Sequence, residues 1–126
     1  MFTKEERSSF PYWFAHWCAF NMTALNLKCW KFRFLFHDIE KPWLRLFMSY
    51  KKVQKLHRKY SRHHIEYKGK HHDWLGMVID WECGRFTKSA ATLNARDEME
   101  LYKDKNPDVY LELKKNFEPI LVQLGL

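Results

Sequence analysis

The chain has 126 residues, a length typical of one domain and long enough to bury a hydrophobic core without crosslinks. It is rich in aromatic residues (10 Phe, 6 Trp, 6 Tyr) and poor in glycine and proline (four each), which excludes a disordered chain and favours packed helices over a β-sandwich. The three cysteines form no CxxC pair, so we expect free thiols in a reducing compartment and not a disulfide framework.

The net charge of +7 is concentrated in one part of the sequence. Residues 28–70 contain 13 Lys and Arg against three acidic residues, a charge of +10, whereas the remainder carries −3. Such a basic segment favours an anionic ligand, namely a nucleotide, a sugar phosphate or a nucleic acid. A solvated helix face without a partner produces the same pattern, so both interpretations stay open.

Residues 8–27 carry no formal charge, which raises the question of a membrane span. The segment is too polar for one, because it contains Ser8, Ser9, Pro11, His16, Asn21, Thr23 and Asn26. A secretory signal also fits badly, since Glu5 and Glu6 precede the segment. We therefore expect no membrane association and a cytoplasmic location.

The first helix is expected from about Pro11 to Leu27, because hydroxyl residues and then a proline mark a helix start. One face of it consists of Trp13, His16, Trp17, Phe20, Ala24 and Leu27, at spacings of three and four. His16 thus lies in the middle of an apolar face. Residues 29–36 alternate like a strand but lack a visible partner strand, so a short helix ending at His37-Asp38 is the better prediction.

Pro42 is expected to open a helix that continues to Tyr60. Its inner stripe would be Trp43, Leu44, Phe47, Tyr50, Val53, Leu56 and Tyr60. Its outer face would be Arg45, Lys51, Lys52, Lys55, Arg58 and Lys59. Residues 61–72 read as a polar loop.

A further helix is predicted from Asp73 to about Cys83, with Gly84 as its stop. Thr87 or Ser89 would cap a helix to about Lys105. Asn106-Pro107 would start the last helix, which Pro119 should kink or divide. The prediction is a single all-α domain over residues 1–126, a compact bundle of about five or six helices, with residues 89–126 forming the C-terminal helices.

The chemistry of the chain centres on its histidines. The seven histidines are His16, His37, His57, His63, His64, His71 and His72. Asp38 follows His37 directly, and Asp80 lies between two large apolar residues, where a carboxylate is costly unless it is paired or binds a cation. Imidazole and carboxylate ligands suit Mn, Fe, Co, Ni or Zn better than Ca or Mg. The sequence contains no HExxH, no glycine-rich phosphate loop and no GxSxG.

The order of these residues resembles the HD-domain superfamily of metal-dependent phosphohydrolases. It is most similar to a small uncharacterised branch of bacteria and their phages with the patterns HDxSK, HxxxNxHHxEY and MxxDW. The matching stretches are residues 37–41, 57–67 and 77–81, within a resemblance that covers about residues 11–88. Glu40 and Ser61 depart from the pattern, which has a small residue and an asparagine there.

The resemblance implies an HD-type bundle and a site of one or two metal ions. His16, His37, Asp38 and Asp80 would hold one ion. Asp38 would bridge to a second ion held by His57 and one of His63 and His64, with His64 preferred. The seven-residue spacing of positions 57 and 64 agrees, if the helix continues that far.

The resemblance also implies roles for the charged residues. Asp38 would orient the attacking water or accept its proton. Glu66 and Glu40 are candidates for acid-base catalysis or for orienting an imidazole. Candidate phosphate-binding residues are Lys41, Arg58, Arg62, Arg85 and Lys88. His71 and His72 are expected at the rim or in solvent.

The expected function is hydrolysis of a phosphate ester, with a nucleotide or a related small phosphorylated molecule as substrate. Two alternatives remain. One is a di-iron oxygenase of the same fold, and the other is a non-catalytic protein that binds nucleotides, or nucleic acid through residues 28–70. Bound iron with dioxygen uptake would indicate the oxygenase. A nucleic-acid affinity that depends steeply on salt concentration would indicate the non-catalytic binding protein.

Overall fold

The computed structural model describes residues 2–3, 5–86 and 94–126, except for the side chain of Arg85. Its elements are α1 (Phe10–Asn26), α2 (Glu40–Leu44), α3 (Tyr50–Tyr60), α4 (Trp74–Cys83), α5 (Ala95–Lys105) and α6 (Pro107–Leu124), with 3-10 turns at Glu5–Ser8, Phe32–Phe36 and Gly84–Phe86. Over the described ranges there is no β-strand, which confirms the predicted all-α bundle. In the same ranges no helix combines the length and apolar character needed to cross a membrane.

The two ends of α1 follow from local hydrogen bonding. The Ser9 hydroxyl accepts a hydrogen bond from the Tyr12 N–H, so the helix begins where the hydroxyl-proline pattern predicts. At the other end Lys28 adopts a left-handed conformation (φ 59°), and the Cys29 N–H donates to the Ala24 carbonyl at 3.0 Å. This bond closes the helix in the way that a terminal glycine usually does.

Helix α4 is the central element, because apolar residues cover it on two sides. Met77 and Val78 belong to one buried cluster with α5 and α6, which is formed by Ala95, Met99, Tyr110, Leu113, Phe117 and Leu121. Ile79 and Cys83 belong to a second cluster with Phe20 and Ala24 of α1 and with Phe34. A helix that is apolar on most sides is stable only when it is buried. Its position places Asp80 beside α1.

The start of α4 is fixed by Asp73. Its carboxylate accepts a hydrogen bond from the Gly76 N–H at 3.0 Å and pairs with the Arg33 guanidinium at 2.9 Å. A Cβ atom on Gly76 would lie 2.5 Å from the Asp73 carboxylate, so the absence of a side chain permits this cap. The helix ends at Cys83 as predicted, and Gly84 continues it into a 3-10 turn with φ −55° and not a left-handed conformation.

The C-terminal helices begin at asparagine caps. Asn94 accepts a hydrogen bond from the Asp97 N–H and caps α5, whereas the predicted caps Thr87 and Ser89 lie outside the described residues. Helix α5 ends at Lys105, and Asn106-Pro107 starts α6, both as predicted. Helix α6 continues through Pro119 without division.

The helix expected from Pro42 to Tyr60 is a wrong prediction, because two helices occupy this range. Helix α2 begins at Glu40 and ends at Leu44, and the Ser49 side chain then caps α3. Of the predicted inner stripe Val53 is buried, whereas Trp43 and Phe47 are 67% and 83% exposed. The helical spacing of apolar residues continues across the break between the two helices, but the Ser49 hydroxyl caps a new helix there. The short helix predicted for residues 29–36 is confirmed as the 3-10 turn, and residues 61–72 form the predicted loop.

Candidate metal centre

The backbone at His37-Asp38 turns both side chains into the interior. Asp38 has φ 54°, in the left-handed region that aspartate tolerates better than most residues. Its carbonyl oxygen accepts hydrogen bonds from the Trp13 indole N–H at 2.8 Å and from the Lys41 N–H at 3.1 Å, which hold this conformation. His37 and Asp38 are both buried as a result.

Four side chains from three parts of the chain form the first donor group: His16 of α1, Asp80 of α4, and the adjacent His37 and Asp38, the latter through its Oδ2 atom. The Asp80 Oδ1 atom lies 2.9 Å from the His16 Nε2 atom and 3.3 Å from the His37 Nε2 atom, and the two Nε2 atoms are 3.2 Å apart. The Asp38 Oδ2 atom lies 3.5 Å from His37 Nε2 and 3.7 Å from His16 Nε2. The structure therefore brings together the four residues that the resemblance assigns to one ion.

These separations suit the edges of a coordination polyhedron. Two ligand atoms that are each about 2.1 Å from an ion lie about 3.0 Å apart at a right angle and about 3.4 Å apart at a tetrahedral angle. The measured separations span 2.9–3.7 Å. The first donor group can thus hold a metal ion.

The second donor group faces the other oxygen of Asp38 and consists of that oxygen, Oδ1, with His57, His63 and His64. The Oδ1 atom lies 2.8 Å from the His57 Nε2 atom and 3.0 Å from the His63 Nε2 atom, and the two nitrogens are 3.1 Å apart. Oδ1 is buried and makes no hydrogen bond of normal geometry to the described residues. Because each oxygen of one carboxylate faces a different group, Asp38 is placed as a bridge.

Both members of the His63-His64 pair lie at the second donor group. His63 contacts Asp38, while His64 offers a ring nitrogen within 4.8 Å of donor atoms on His57 and His63. The His64 Nε2 atom is buried and has no hydrogen-bond partner among the described residues. Because α3 ends at Tyr60, the helical spacing expected between positions 57 and 64 does not apply, and the following turn positions both rings.

Neighbouring side chains orient two of the buried imidazole rings, those of His37 and His16. The His37 ring stacks on Phe20 with 3.7 Å between centroids and 7° between planes. The His16 Nδ1 atom faces the Cys83 sulfur at 3.9 Å. No sequence motif marks these two supports, because the contacting residues are distant from each other in sequence.

The Nδ1 atom of His57 contacts two side chains. These are the Glu40 carboxylate and the Ser61 hydroxyl, the latter at 2.9 Å. Glu40 and Ser61 are the two positions at which the chain departs from the pattern of the branch it resembles. A carboxylate at one ring nitrogen directs the other nitrogen toward the ligand position, so Glu40 orients His57 as expected for a supporting residue.

Both central carboxylates stay ionised despite their burial. Burial alone would raise the pKa of Asp38, but His37 and Lys41 outweigh it and hold this pKa well below its usual value. Burial also acts to raise the pKa of Asp80, but hydrogen bonds from His16 and His37 outweigh it and keep this pKa well below its usual value. Ionised carboxylates are the form that binds a cation.

The imidazoles differ in their electrostatic surroundings. Burial lowers the pKa of His37 although Asp38 opposes the effect, and burial lowers the pKa of His64 to about 3. Burial also acts to lower the pKa of His57, but contacts with the carboxylates of Asp38 and Glu40 outweigh burial, so this pKa is raised. Burial thus keeps His64 in the neutral form, which is the form that binds metals.

The donor groups open onto a cavity of about 800 Å³, which His16, Asp38, His64 and Asp80 line. The same cavity is lined by Arg7, Lys41, Lys51, Lys55, Arg58, Lys59 and Lys68. The candidate residues Lys41, Arg58 and Glu66 are therefore here, and Lys41 Nζ lies 2.9 Å from Asp38 Oδ2. The sequence placed Lys51, Lys55 and Lys59 on one helix face, but their relation to the histidines depends on tertiary packing.

The remaining candidate residues that the structure describes do not line this cavity. Arg62 lines a separate cavity of about 310 Å³ beside His37 and His63, and its Nε–H donates to the His71 carbonyl at 2.7 Å. His71 is exposed, and the His72 ring stacks on Trp74, so both rings lie outside the donor groups. The Arg85 side chain and Lys88 lie outside the described residues.

The arrangement places a group of His and Asp side chains beside a cavity lined by basic residues. Its His and Asp residues are largely buried and could hold a metal ion, and the adjoining cavity is predominantly basic. A metal ion and lysine side chains together neutralise a multiply charged anion better than either does alone. Comparison of the chain with protein-family models, with curated proteins and with solved structures gives no match.

Proposed function

We propose that the chain is a metal-dependent phosphohydrolase of the HD-domain type that cleaves a phosphate ester, with a nucleotide as the expected class of substrate. The observation that carries the proposal is the placement of Asp38. Its two oxygens face two donor groups, and members of both groups, His16, His64 and Asp80, line the basic cavity with it. This is the arrangement that a pair of ions clamping a phosphate oxygen requires.

The donor set fits transition metals. His16, His37, Asp38 and Asp80 would hold one ion, and Asp38, His57 and His63 with His64 would hold the other. Mixed imidazole and carboxylate ligands favour Mn, Fe, Co, Ni or Zn over Ca and Mg. When bound, such ions lower the pKa of a coordinated water and neutralise charge on the phosphate.

The chain's own residues would position the substrate and move protons. Burial lowers the pKa of Lys41, but Asp38 outweighs this effect and raises it, so the ammonium group stays charged beside the donor groups. Lys41 and Arg58 would bind the phosphate oxygens. Glu66, which lines the same cavity, would exchange a proton with the leaving alcohol.

Metal analysis combined with a phosphate-release screen tests the proposal. The protein is purified without chelator, its metal content is measured, and nucleotides and sugar phosphates are assayed with each of Mn, Fe, Co, Ni and Zn. We expect metal-dependent phosphate release that His37→Ala abolishes. His71→Ala is the matched control, because that ring is exposed and lies outside both donor groups.

The same experiment separates the alternatives. Two bound irons with dioxygen uptake and no phosphate release would replace the proposal with an oxygenase. Nucleotide binding without turnover, or nucleic-acid binding that falls steeply with salt, would replace it with a binding protein. Absence of phosphate release from every ester with every metal would refute it.

A further inference from the structure

A second cavity adjoins the donor groups, and its walls are mostly apolar. It has a volume of about 310 Å³, within the range of pockets that bind small molecules. Residues from the start of α1, from α2 and from α3 enclose it. Its apolar walls are Phe10, Trp13, Pro42, Leu46, Tyr50 and Val53.

The apolar pocket is continuous with the basic cavity. His16, Asp38 and Lys41 line both of them. A phosphate group held by Lys41 beside the donor groups would therefore stand at the inner end of the apolar pocket. The group esterified to that phosphate would have this pocket directly in front of it.

Two polar atoms of the pocket walls are already engaged. The Trp13 indole N–H donates to the Asp38 carbonyl oxygen at 2.8 Å. The Tyr50 hydroxyl accepts a hydrogen bond from the Gln54 side-chain amide. Most of the lining surface is apolar, although four further polar residues also contribute to it, namely Arg7, Ser8, Ser9 and Arg45. A polyol that enters the pocket would therefore lose hydration and find few hydrogen-bond partners for its hydroxyl groups.

The solvent-exposed part of the pocket lining includes Arg45 and two apolar residues. These two are Phe10 and Leu46, which are 62% and 71% exposed. Single exposed apolar residues are common on protein surfaces, but here two of them flank an apolar pocket beside charged groups. An apolar group that enters the pocket would cover them in part.

We propose that this pocket binds an aromatic or alkyl group carried by the phosphate ester. The inference rests on the proposed function and narrows it. The preferred substrates carry a ring or an alkyl chain close to the phosphate, and an ester of a bare polyol such as glycerol phosphate leaves the pocket empty. The basic cavity would then recognise charge, and the apolar pocket would recognise the rest of the molecule.

Two non-hydrolysable phosphonates with the same headgroup test the inference by calorimetry. Methylphosphonate and 1-naphthylmethylphosphonate are titrated into the manganese-loaded wild-type protein. Burying one face of a naphthyl ring should make the second ligand bind at least about tenfold more tightly. Leu46→Gln should reduce that ratio by about threefold, because it removes one apolar wall.

Leu111→Gln is the matched control, since Leu111 is 65% exposed and lies on α6, outside both cavities. It should leave the affinity ratio at its wild-type value. Equal affinities for the two phosphonates, or a ratio that Leu46→Gln leaves unchanged, would overturn the inference while the proposed function stands. If neither phosphonate binds the metal-loaded protein, both proposals are wrong.

Discussion

The dinuclear interpretation can be tested by removing a ring that belongs to one donor group alone. His57 belongs to the second donor group, and its side chain is fully buried. Substitution with alanine removes one of three donor atoms that lie 2.8–3.1 Å apart. The first donor group keeps all its ligands, because Asp38 Oδ2 faces His16 and His37.

The fold should survive this substitution. Truncating a buried side chain of this size costs about 2–4 kcal/mol, against about 5–15 kcal/mol for the stability of a typical domain. The two carboxylates that lose His57 as a partner keep other contacts. Asp38 Oδ1 retains His63 at 3.0 Å, and the Glu40 side chain is 42% exposed and can be hydrated.

The assay is metal content per chain after saturation with manganese and removal of free ions. We expect about two ions in the wild type and about one in His57→Ala, with an unchanged helical circular dichroism spectrum. His16→Ala should also bind about one ion, through the second group. His71→Ala should still bind two.

The results that would refute this reasoning are specific. A wild-type protein that never binds more than one ion under saturating Mn, Fe or Ni excludes the dinuclear site. Two ions in His57→Ala would show that this ring is not a ligand. In either case His57 would become a substrate-contacting or purely structural residue.

Three further substitutions test the electrostatics of the site and of α4. Asp38→Ala should abolish metal binding. It should also lower the free energy of unfolding by about 3–5 kcal/mol in urea titrations, because it leaves the largely buried Lys41 ammonium unpaired. Adding Lys41→Met to this variant should restore part of the stability, and purely additive effects of the two substitutions would contradict the pairing. Glu40→Gln should weaken binding of the second ion by about 10–100-fold in manganese titrations while the first ion binds normally, and equal weakening of both would exclude an orienting role. Against the effect of burial, the hydrogen bond from Arg33 lowers the pKa of Asp73. The wild type should therefore exceed Asp73→Asn in stability by about 0.5 kcal/mol at neutral pH, because the ion pair is half exposed. This stability advantage is fully present above the pKa of about 3.9 that Asp73 has in the unfolded chain, and it is lost as the pH falls through the lower pKa of the folded state. If thermal unfolding shows that the advantage persists at pH 2, the pairing of Asp73 with Arg33 is not its cause.

Most of the helix boundaries and two of the polar core residues could be predicted from local features of the sequence, whereas the full donor set came from the family resemblance. Ser9 and Asn106 are helix caps that depend on their own neighbours, and the structure uses both. His16 and Asp80 stand out because a polar side chain within an apolar pattern needs a partner. These features require no knowledge of which helices pack together.

The remaining features depend on packing or on competition between local signals. The break after Leu44 was missed because the apolar period continues through it, although Ser49 supplies a cap. The roles of His63 and His64 depend on where α3 ends, which shifts both rings relative to Asp38. The apolar pocket joins residues that are more than 40 positions apart in sequence, Phe10 and Val53 among them, and no spacing rule relates such residues.

The two donor groups differ in how firmly the fold supports them. His16 and Asp80 lie on α1 and α4, which pack directly against each other through the buried Phe20 and Ile79. His63 and His64 lie in the loop 61–72, and α3, which carries His57, contributes only two buried residues. A ligand set held in place before binding loses less conformational entropy when the ion binds.

The first donor group should therefore bind its ion more tightly than the second. A calorimetric titration of the metal-free wild type with manganese should show two separable steps. His16→Ala should remove the tighter step and leave the weaker one, whereas His57→Ala should do the reverse. If His16→Ala instead removes the weaker step, the loop residues form the tighter site, and packing of α1 on α4 does not set the order of binding.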